Sequence, residues 1–183
     1  MFSWDKEIFN IFFGLTKYSS LINSFFIFLG AWLGYILLAV FLFYFFRVGG
    51  FKKRFYIFAL TTLSIIVSRG IITEGLRFFI DSPRPYVFFE ITPLFMNLVE
   101  TNSFPSGHMT LFIPLALVVL DINKKAGIWF LFSVFIMGFF RIVCGVHWLS
   151  DIFAGIVIGF LSFYLIKFIL SRCLWPKDSL KTD

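Results

Sequence analysis

Charge is what this 183-residue chain has least of. Asp, Glu, Lys and Arg together make up 14% of it, against about 25% in an average soluble domain. Cysteine and histidine are scarcer still, with two of each. Two cysteines cannot make a disulfide framework, and two histidines leave few side chains that titrate near neutrality. What is abundant is apolar: 60% of the chain is hydrophobic and 30 residues are Phe. That content rules out a disordered or collagen-like chain and exceeds what one small core can hide, so the surplus must face a bilayer. The formal net charge is +6. In a soluble protein such a balance raises nucleic acid as a partner, whereas in a membrane protein the distribution of the basic residues matters more than their sum.

Five runs are candidates for membrane spans. Residues 21–46 contain no charged side chain over 26 positions, more than the roughly 20 a span needs and too long for the h-region of a signal peptide. The stretch 47–54, with Gly49-Gly50 and the basic Arg47, Lys52, Lys53 and Arg54, reads as a short polar loop. Residues 55–80 form a second span although Arg69, Glu74 and Arg77 lie in its second half, and Pro83 and Pro85 end it. After a polar segment over 81–104, the third run covers 105–121. At about 1.5 Å per residue it reaches only about 25 Å, short of a hydrocarbon core of roughly 30 Å, so its start should lie at or below the headgroups. Asn123-Lys124-Lys125 turns the chain, and residues 126–144 and 149–170 complete the set.

The expected fold is therefore an all-α integral membrane protein, a bundle of about five transmembrane helices. In residues 1–20, Ile8, Ile11, Phe12 and Leu15 repeat at helical spacing while Asp5, Lys6, Glu7 and Lys17 take other faces. An amphipathic helix in the interface is expected there, with a sixth span as the alternative. The domain organisation becomes an interfacial helix over 1–20, a membrane domain over 21–170 and a basic tail over 171–183. Gly30/Gly34 and Gly155/Gly159 are small-xxx-small pairs suited to helix packing within the chain.

Five spans put the chain ends on opposite sides. One side receives the basic 47–54 stretch, Lys124 and Lys125, and the tail with Arg172, Lys177 and Lys181. By the positive-inside rule that side is cytoplasmic, so residues 1–20, 81–104 and 145–148 are expected to face outward. Cys144 and Cys173 then lie on opposite sides and cannot pair within one chain.

Both histidines, His108 and His147, fall at helix ends on the outer side, as do Arg77, Arg84, Arg141 and Asp151. Ionisable groups are costly near lipid, so their convergence at one level points to a charged ligand. Arg77 and Arg84-Pro85 bracket the end of the second span across the turn Asp81-Ser82-Pro83, and guanidinium forks suit phosphate oxygens. Pro105-Ser106-Gly107-His108 opens the third span, where free backbone N–H groups bind anions, Gly107 permits close approach and Ser106 adds a hydroxyl. Arg141 is followed after five residues by His147, and Asp151 stands four beyond. Asp151 can hold one nitrogen of His147, fixing the tautomer and leaving the other nitrogen as nucleophile or base. Arg69 and Glu74, deeper in the second span, read as a structural ion pair or as hydrogen-bonding groups inside the bundle, ahead of a substrate role.

These three strings resemble the tripartite signature of the type 2 phosphatidic acid phosphatase superfamily, integral-membrane lipid phosphatases related to vanadium haloperoxidases. The family pattern is a basic residue, six others and Arg-Pro; then Pro-Ser-Gly-His; then Ser-Arg, five others, His, three others and Asp. Order and spacings match from the second span to the fifth. Two positions depart: Arg77 stands where Lys is usual, and Phe140 where Ser precedes the arginine.

The resemblance implies that His147 attacks phosphorus to form a phosphohistidine, oriented by Asp151, and that His108 protonates the leaving oxygen and then activates water. Arg77, Arg84, Arg141, Ser106 and Gly107 would hold the phosphoryl oxygens. Phosphoryl transfer rests mainly on positioning and electrostatic stabilisation, and three arginines with a helix N-terminus offer both. Only Asp151, with Asp81 or Glu74, supplies carboxylates nearby, so no metal and no cofactor is expected.

The expected partners are a phosphorylated lipid and the membrane, without nucleic acid; the oligomeric state is not legible. Among substrates an undecaprenyl-type polyprenyl diphosphate comes first, ahead of lipid A phosphate, phosphatidylglycerophosphate or phosphatidic acid. A phosphotransferase would use the same residues. A non-catalytic lipid-phosphate binding or translocating protein is the reading from another class, and it would need the arginines but no buttressed histidine.

Overall fold

The computed structural model describes residues 3–95 and 102–173. Of the basic tail expected over 171–183, residues 171–173 with Arg172 continue the last helix, and the rest, with Lys177 and Lys181, lies outside the described residues. The chain folds as α1 (Ser3–Phe13), α2 (Ser20–Arg47), α3 (Phe51–Phe79), a one-turn α4 (Pro85–Phe88), α5 (Gly107–Ile122), α6 (Lys124–Val143) and α7 (Leu149–Cys173). Among the described residues α2, α3, α6 and α7 are long and apolar enough to cross a membrane, and α5 is a shorter apolar helix. The protein is thus an all-α integral membrane protein.

The centre of the bundle is α5. Of its 16 residues, a run from Met109 to Val119 is buried almost without interruption, which is how a helix apolar all round behaves. α7 approaches it closely because two positions lack a side chain. A Cβ on Gly155 would come within 2.7 Å of Met109 Cβ and 2.8 Å of the Ser106 carbonyl, and one on Gly159 within 2.9 Å of Ile113 Cβ. α2 uses Gly30 against the Phe140 carbonyl and Gly34 against the Phe112 ring in the same way. Both small-residue pairs therefore pack helices within the chain, as small stripes do where lipid supplies no hydrophobic drive. At about 24 Å, α5 is shorter than the four long apolar helices around it.

Two boundaries differ from the sequence expectation. α3 starts at Phe51, so Lys52, Lys53 and Arg54 belong to its first turn and not to a loop. Gly50, at φ +78°, makes the turn alone, and Arg54 reaches back to donate to the Val48 carbonyl at 2.9 Å, covering an acceptor at the end of α2. Likewise Lys124 and Lys125 open α6, which Asn123 caps by accepting from Ala126 N at 2.9 Å. In both cases the basic residues stand on a helix end and not in a loop, a place from which long side chains can extend to a polar surface.

α1 meets the bundle through Asp5, Phe9 and Phe12, the last edge-on to Phe139. Ile11 is 69% exposed, whereas Asp5 and Phe9 are buried. Phe9 stacks on Phe89 and meets Trp148 edge-on. Asp5 accepts from Ser150 N at 3.0 Å, capping the first turn of α7. Such a cap is worth about 0.5–2 kcal/mol, and it decides which side of α1 turns inward.

Two π-helical stretches, Phe28–Trp32 in α2 and Ile66–Thr73 in α3, interrupt regular helix. Such stretches are rare and shift every residue beyond them around the helix.

Candidate active site

The end of α3, the start of α5, the end of α6 and the start of α7 meet at one end of the bundle. The segments between them are knitted by backbone pairing, with Ser103 N donating to the Ser82 carbonyl at 2.8 Å and Pro83 bridged to Asn102. Asn102 donates to the carbonyls of Arg77 and Ile80, closing the C-terminus of α3. Trp148, 1% exposed, donates through its indole nitrogen to the Pro83 carbonyl at 2.9 Å. It works as an internal clamp, not as the interfacial anchor its type also allows.

His147 sits in the turn between α6 and α7, which Gly145 makes at φ +87°. The imidazole is 1% exposed. Its Nδ1 lies 3.4 Å from Asp151 Oδ2 and 3.4 Å from Ser103 Oγ, leaving Nε2 on the opposite side of the ring. Asp151 is fully buried and fixed in turn: Oδ2 accepts from Trp148 N at 2.8 Å and from the Ser103 hydroxyl. Its backbone carbonyl accepts from Ser106 N at 3.1 Å, joining the third string to the second. Burial first, then the positive charges of Arg141, Arg84 and Arg77, hold the His147 pKa well below that of an ordinary imidazole. At neutral pH its ring is uncharged, the state a nitrogen nucleophile needs.

The arginines are anchored from the backbone. Arg84 and Arg141 are each 1% exposed. Arg84 Nη1 donates to the Val146 carbonyl at 3.1 Å, directly beside His147, and Arg141 Nη1 donates to the Gly30 carbonyl at 3.0 Å. Arg77 reaches the Pro105 carbonyl through Nη2 at 3.4 Å and Glu74 through Nη1 at 3.5 Å. Arg141 also faces the ring of Phe95. Phe140, where the family pattern has Ser, packs against Phe25 and Phe26 of α2, so it serves the bundle and not the site.

Gly107 begins α5, and the Ser106 hydroxyl before it is fully buried with no hydrogen-bond partner among the described residues. His108 follows, its ring over Phe112. Together with Arg141 it lines a cleft of about 480 Å³ whose remaining wall is largely apolar, with Ile27, Tyr35 and Leu38 from α2 and Leu111 from α5. Among the described residues no three of His, Cys, Asp and Glu gather as metal ligands.

The structure thus brings all the sequence-derived candidates, His108, His147, Asp151, Arg77, Arg84, Arg141, Ser106 and Gly107, to one end of the bundle. It adds two that sequence reasoning missed or undervalued. Ser103 supports both His147 and Asp151; its only sequence signal was a hydroxyl just ahead of Pro105-Ser106, and spacing could not say what it would touch. Arg69 pairs with Glu74 as expected, yet it also lies against Gly107.

A buried, carboxylate-backed imidazole under several guanidiniums at one end of an apolar helical bundle defines a membrane phosphoryl-transfer enzyme. The chain belongs to the PAP2 superfamily, which its residues 57–175 match. It is 30% identical over 167 residues to the undecaprenyl-diphosphatase BcrC of Bacillus subtilis (strain 168), covering 86% of this chain and 81% of that one. It is 28% identical over 168 residues to the lipid A 4'-phosphatase of Porphyromonas gingivalis, covering 85% and 70%. The crystal structure of Aquifex aeolicus LpxE superposes with a TM-score of 0.69 at 25% identity, covering 91% of this chain and 96% of the other. The protein is accordingly a phosphatase of the PAP2 lipid phosphatase family.

Proposed function

We propose that the protein hydrolyses the diphosphate headgroup of a polyprenyl lipid of the undecaprenyl type at the outer leaflet, through a phosphohistidine and without a metal ion. The observation that carries this is the buttressed His147: Asp151 and Ser103 on its Nδ1 side, and three arginines bearing on it. Phosphate binding alone would need the arginines and not this support.

His147 Nε2 attacks the terminal phosphorus. As the N–P bond forms, the bridging P–O bond breaks and its electron pair stays on the lipid's remaining phosphate, whose oxygen takes a proton from His108. Asp151 stabilises the positive charge that develops on the imidazole, and Arg77, Arg84 and Arg141 balance the equatorial phosphoryl oxygens with the Gly107 amide and the Ser106 hydroxyl. His108, now neutral, accepts a proton from water; the water oxygen bonds to phosphorus, the N–P bond breaks, and inorganic phosphate leaves.

The diphosphate preference draws on the similarity to BcrC, and the apolar cleft opening beside His108 and Arg141 suits a long hydrocarbon chain. Likeness to a lipid A 4'-phosphatase supports a second reading, hydrolysis of a saccharide-linked lipid phosphate by the same residues. The outward orientation is supported by the basic residues Arg47, Lys52, Lys53, Lys124 and Lys125, which the positive-inside rule assigns to the cytoplasmic side.

The test is phosphate release from polyprenyl diphosphate by the purified protein in detergent with EDTA. Turnover should persist in EDTA, His147→Ala should abolish it, and His108→Ala should lower it by about 10²–10⁴. Activity that vanishes in EDTA and returns with Mg²⁺ would overturn the mechanism, and near-normal activity in both histidine variants would overturn the site.

A further inference from the structure

Arg69 lies outside the three signature strings, and the fold nevertheless brings it to the phosphate end. Eight α-helical residues advance about 800°, which leaves Arg69 and Arg77 roughly 80° apart on a regular helix. Arg69 lies inside the π stretch Ile66–Thr73, whose wider turns advance less per residue than an α-helix and so bring Arg69 and Arg77 toward one face.

The π stretch is locked in that register by buried hydrogen bonds to the first turn of α5. Ser68 Oγ donates to the Thr110 carbonyl at 2.8 Å, and Thr73 Oγ1 meets Thr110 Oγ1 at 3.2 Å. Thr110 stands two residues after His108, so Arg69, next to Ser68, is carried alongside the Pro105-Ser106-Gly107-His108 turn. The contact is direct: a Cβ on Gly107 would come within 2.8 Å of Arg69 Nε and 3.2 Å of its Cζ. The guanidinium lies across the glycine, and a side chain there would push it aside.

Glu74 holds the arrangement. Its Oε1 accepts from Arg69 Nη1 and, at 3.5 Å, from Arg77 Nη1. One carboxylate thus ties two guanidiniums of α3 together at the N-terminus of α5. Arg141 and Arg84 bear on both histidines, with Arg77 added at His147 and Arg69, as the smallest contribution, at His108.

From this geometry we infer that Arg69, steadied by Glu74 against Gly107, forms a second phosphoryl subsite beside His108 that takes the leaving-group phosphate of a lipid diphosphate. The inference rests on the proposed function, in which His108 protonates the leaving oxygen. When the bridging P–O bond breaks, its electron pair remains on the lipid monophosphate, which gains charge at the moment His108 delivers its proton. A phosphate monoester carries about −1.5 to −2 at neutral pH, and the Arg69 fork offers it a charge-assisted pair. A lipid monophosphate has no such group, since its leaving oxygen belongs to an alcohol. Arg69 therefore sets preference for diphosphate over monophosphate, and Glu74 is a positioning residue.

Two measurements decide it. The first compares kcat/KM of wild type, Arg69→Ala and Arg69→Lys on one polyprenyl chain bearing diphosphate or monophosphate. Losing a charged hydrogen-bonding partner predicts that Arg69→Ala lowers the diphosphate value about 10- to 100-fold more than the monophosphate value. Arg69→Lys should recover part of the preference, and Glu74→Gln should move the ratio in the same direction at unchanged thermal stability in detergent. The second compares inhibition by methylenediphosphonate and by inorganic phosphate, against whichever lipid is turned over. Wild type should favour the diphosphonate and Arg69→Ala should lose that advantage. Equal losses on both lipids with an unaltered inhibitor ratio would overturn the subsite and leave Arg69 a structural residue. If wild type turns over only the monophosphate, the proposed substrate fails, and the inhibitor ratio still decides the subsite.

Discussion

Replacing Ser103 by alanine tests whether the support behind His147 is part of the catalytic apparatus. The Ser103 hydroxyl donates to Asp151 Oδ2 and lies 3.4 Å from His147 Nδ1, and both Ser103 and Asp151 are fully buried. No water can replace the lost donor without reorganisation, so the substitution removes one of the two short contacts to a buried carboxylate, the other being Trp148 N at 2.8 Å. A hydrogen bond to a charged group is worth about 1.5–3 kcal/mol. If all of it is expressed while the imidazole becomes cationic, turnover falls about 10- to 150-fold at about 1.36 kcal/mol per decade. Ser103 is aimed at the His147–Asp151 pair and not at the phosphoryl oxygens, so the loss should appear in kcat with KM changed by less than about threefold. The assay is steady-state phosphate release at several lipid concentrations, run beside Asp151→Asn. Turnover within twofold of wild type, or a loss confined to KM, would refute the reasoning.

The remaining predictions concern protonation and orientation. Because the His147 pKa is depressed by burial and by Arg141, Arg84 and Arg77, the native ring stays neutral as pH falls below the ordinary imidazole value of about 6.5. The unfolded chain gains that proton first, so this contribution to stability is complete above about pH 6.5 and is lost as pH falls below it. The acid limb of kcat/KM should accordingly lie below about 6.5, and a limb centred at or above that value would overturn the assignment of a neutral nucleophile. For orientation, a cysteine at Gly49 should be shielded from an impermeant thiol reagent in intact cells, while one at Gly14 should react. The reverse pattern would turn the site toward the cytoplasm.

Much of the fold was legible because lipid imposes a simple demand: backbone groups must pair within helices, and the side chains must be apolar for about 20 residues. That demand is one-dimensional, so runs of uncharged residues locate the passes. Boundaries shifted where basic residues entered a helix, as Lys52 to Arg54 did, since hydropathy measures side chains and not backbone pairing. Periodicity placed Ile8, Ile11, Phe12 and Leu15 on one face of α1, and it could not show that Asp5 reaches Ser150 N with Phe9 buried beside it.

The sequence by itself determined that this is a helical membrane protein, that its two histidines fall at helix ends with Arg77, Arg84 and Arg141, and that their spacings are those of a phosphatase family. Those properties depend on composition and on separations along single helices. Only the tertiary structure decided that Ser103 backs Asp151 across 48 positions, that Asp5 caps α7 from 145 positions away, and that Arg69 lies against Gly107. A hydrogen bond depends on distance and direction in space, and no periodicity records which distant donor a buried carboxylate will meet. The scarcity of charge noted at the outset gives these pairings their weight, because in a bundle this apolar a polar group brought to the site has few other partners to choose from.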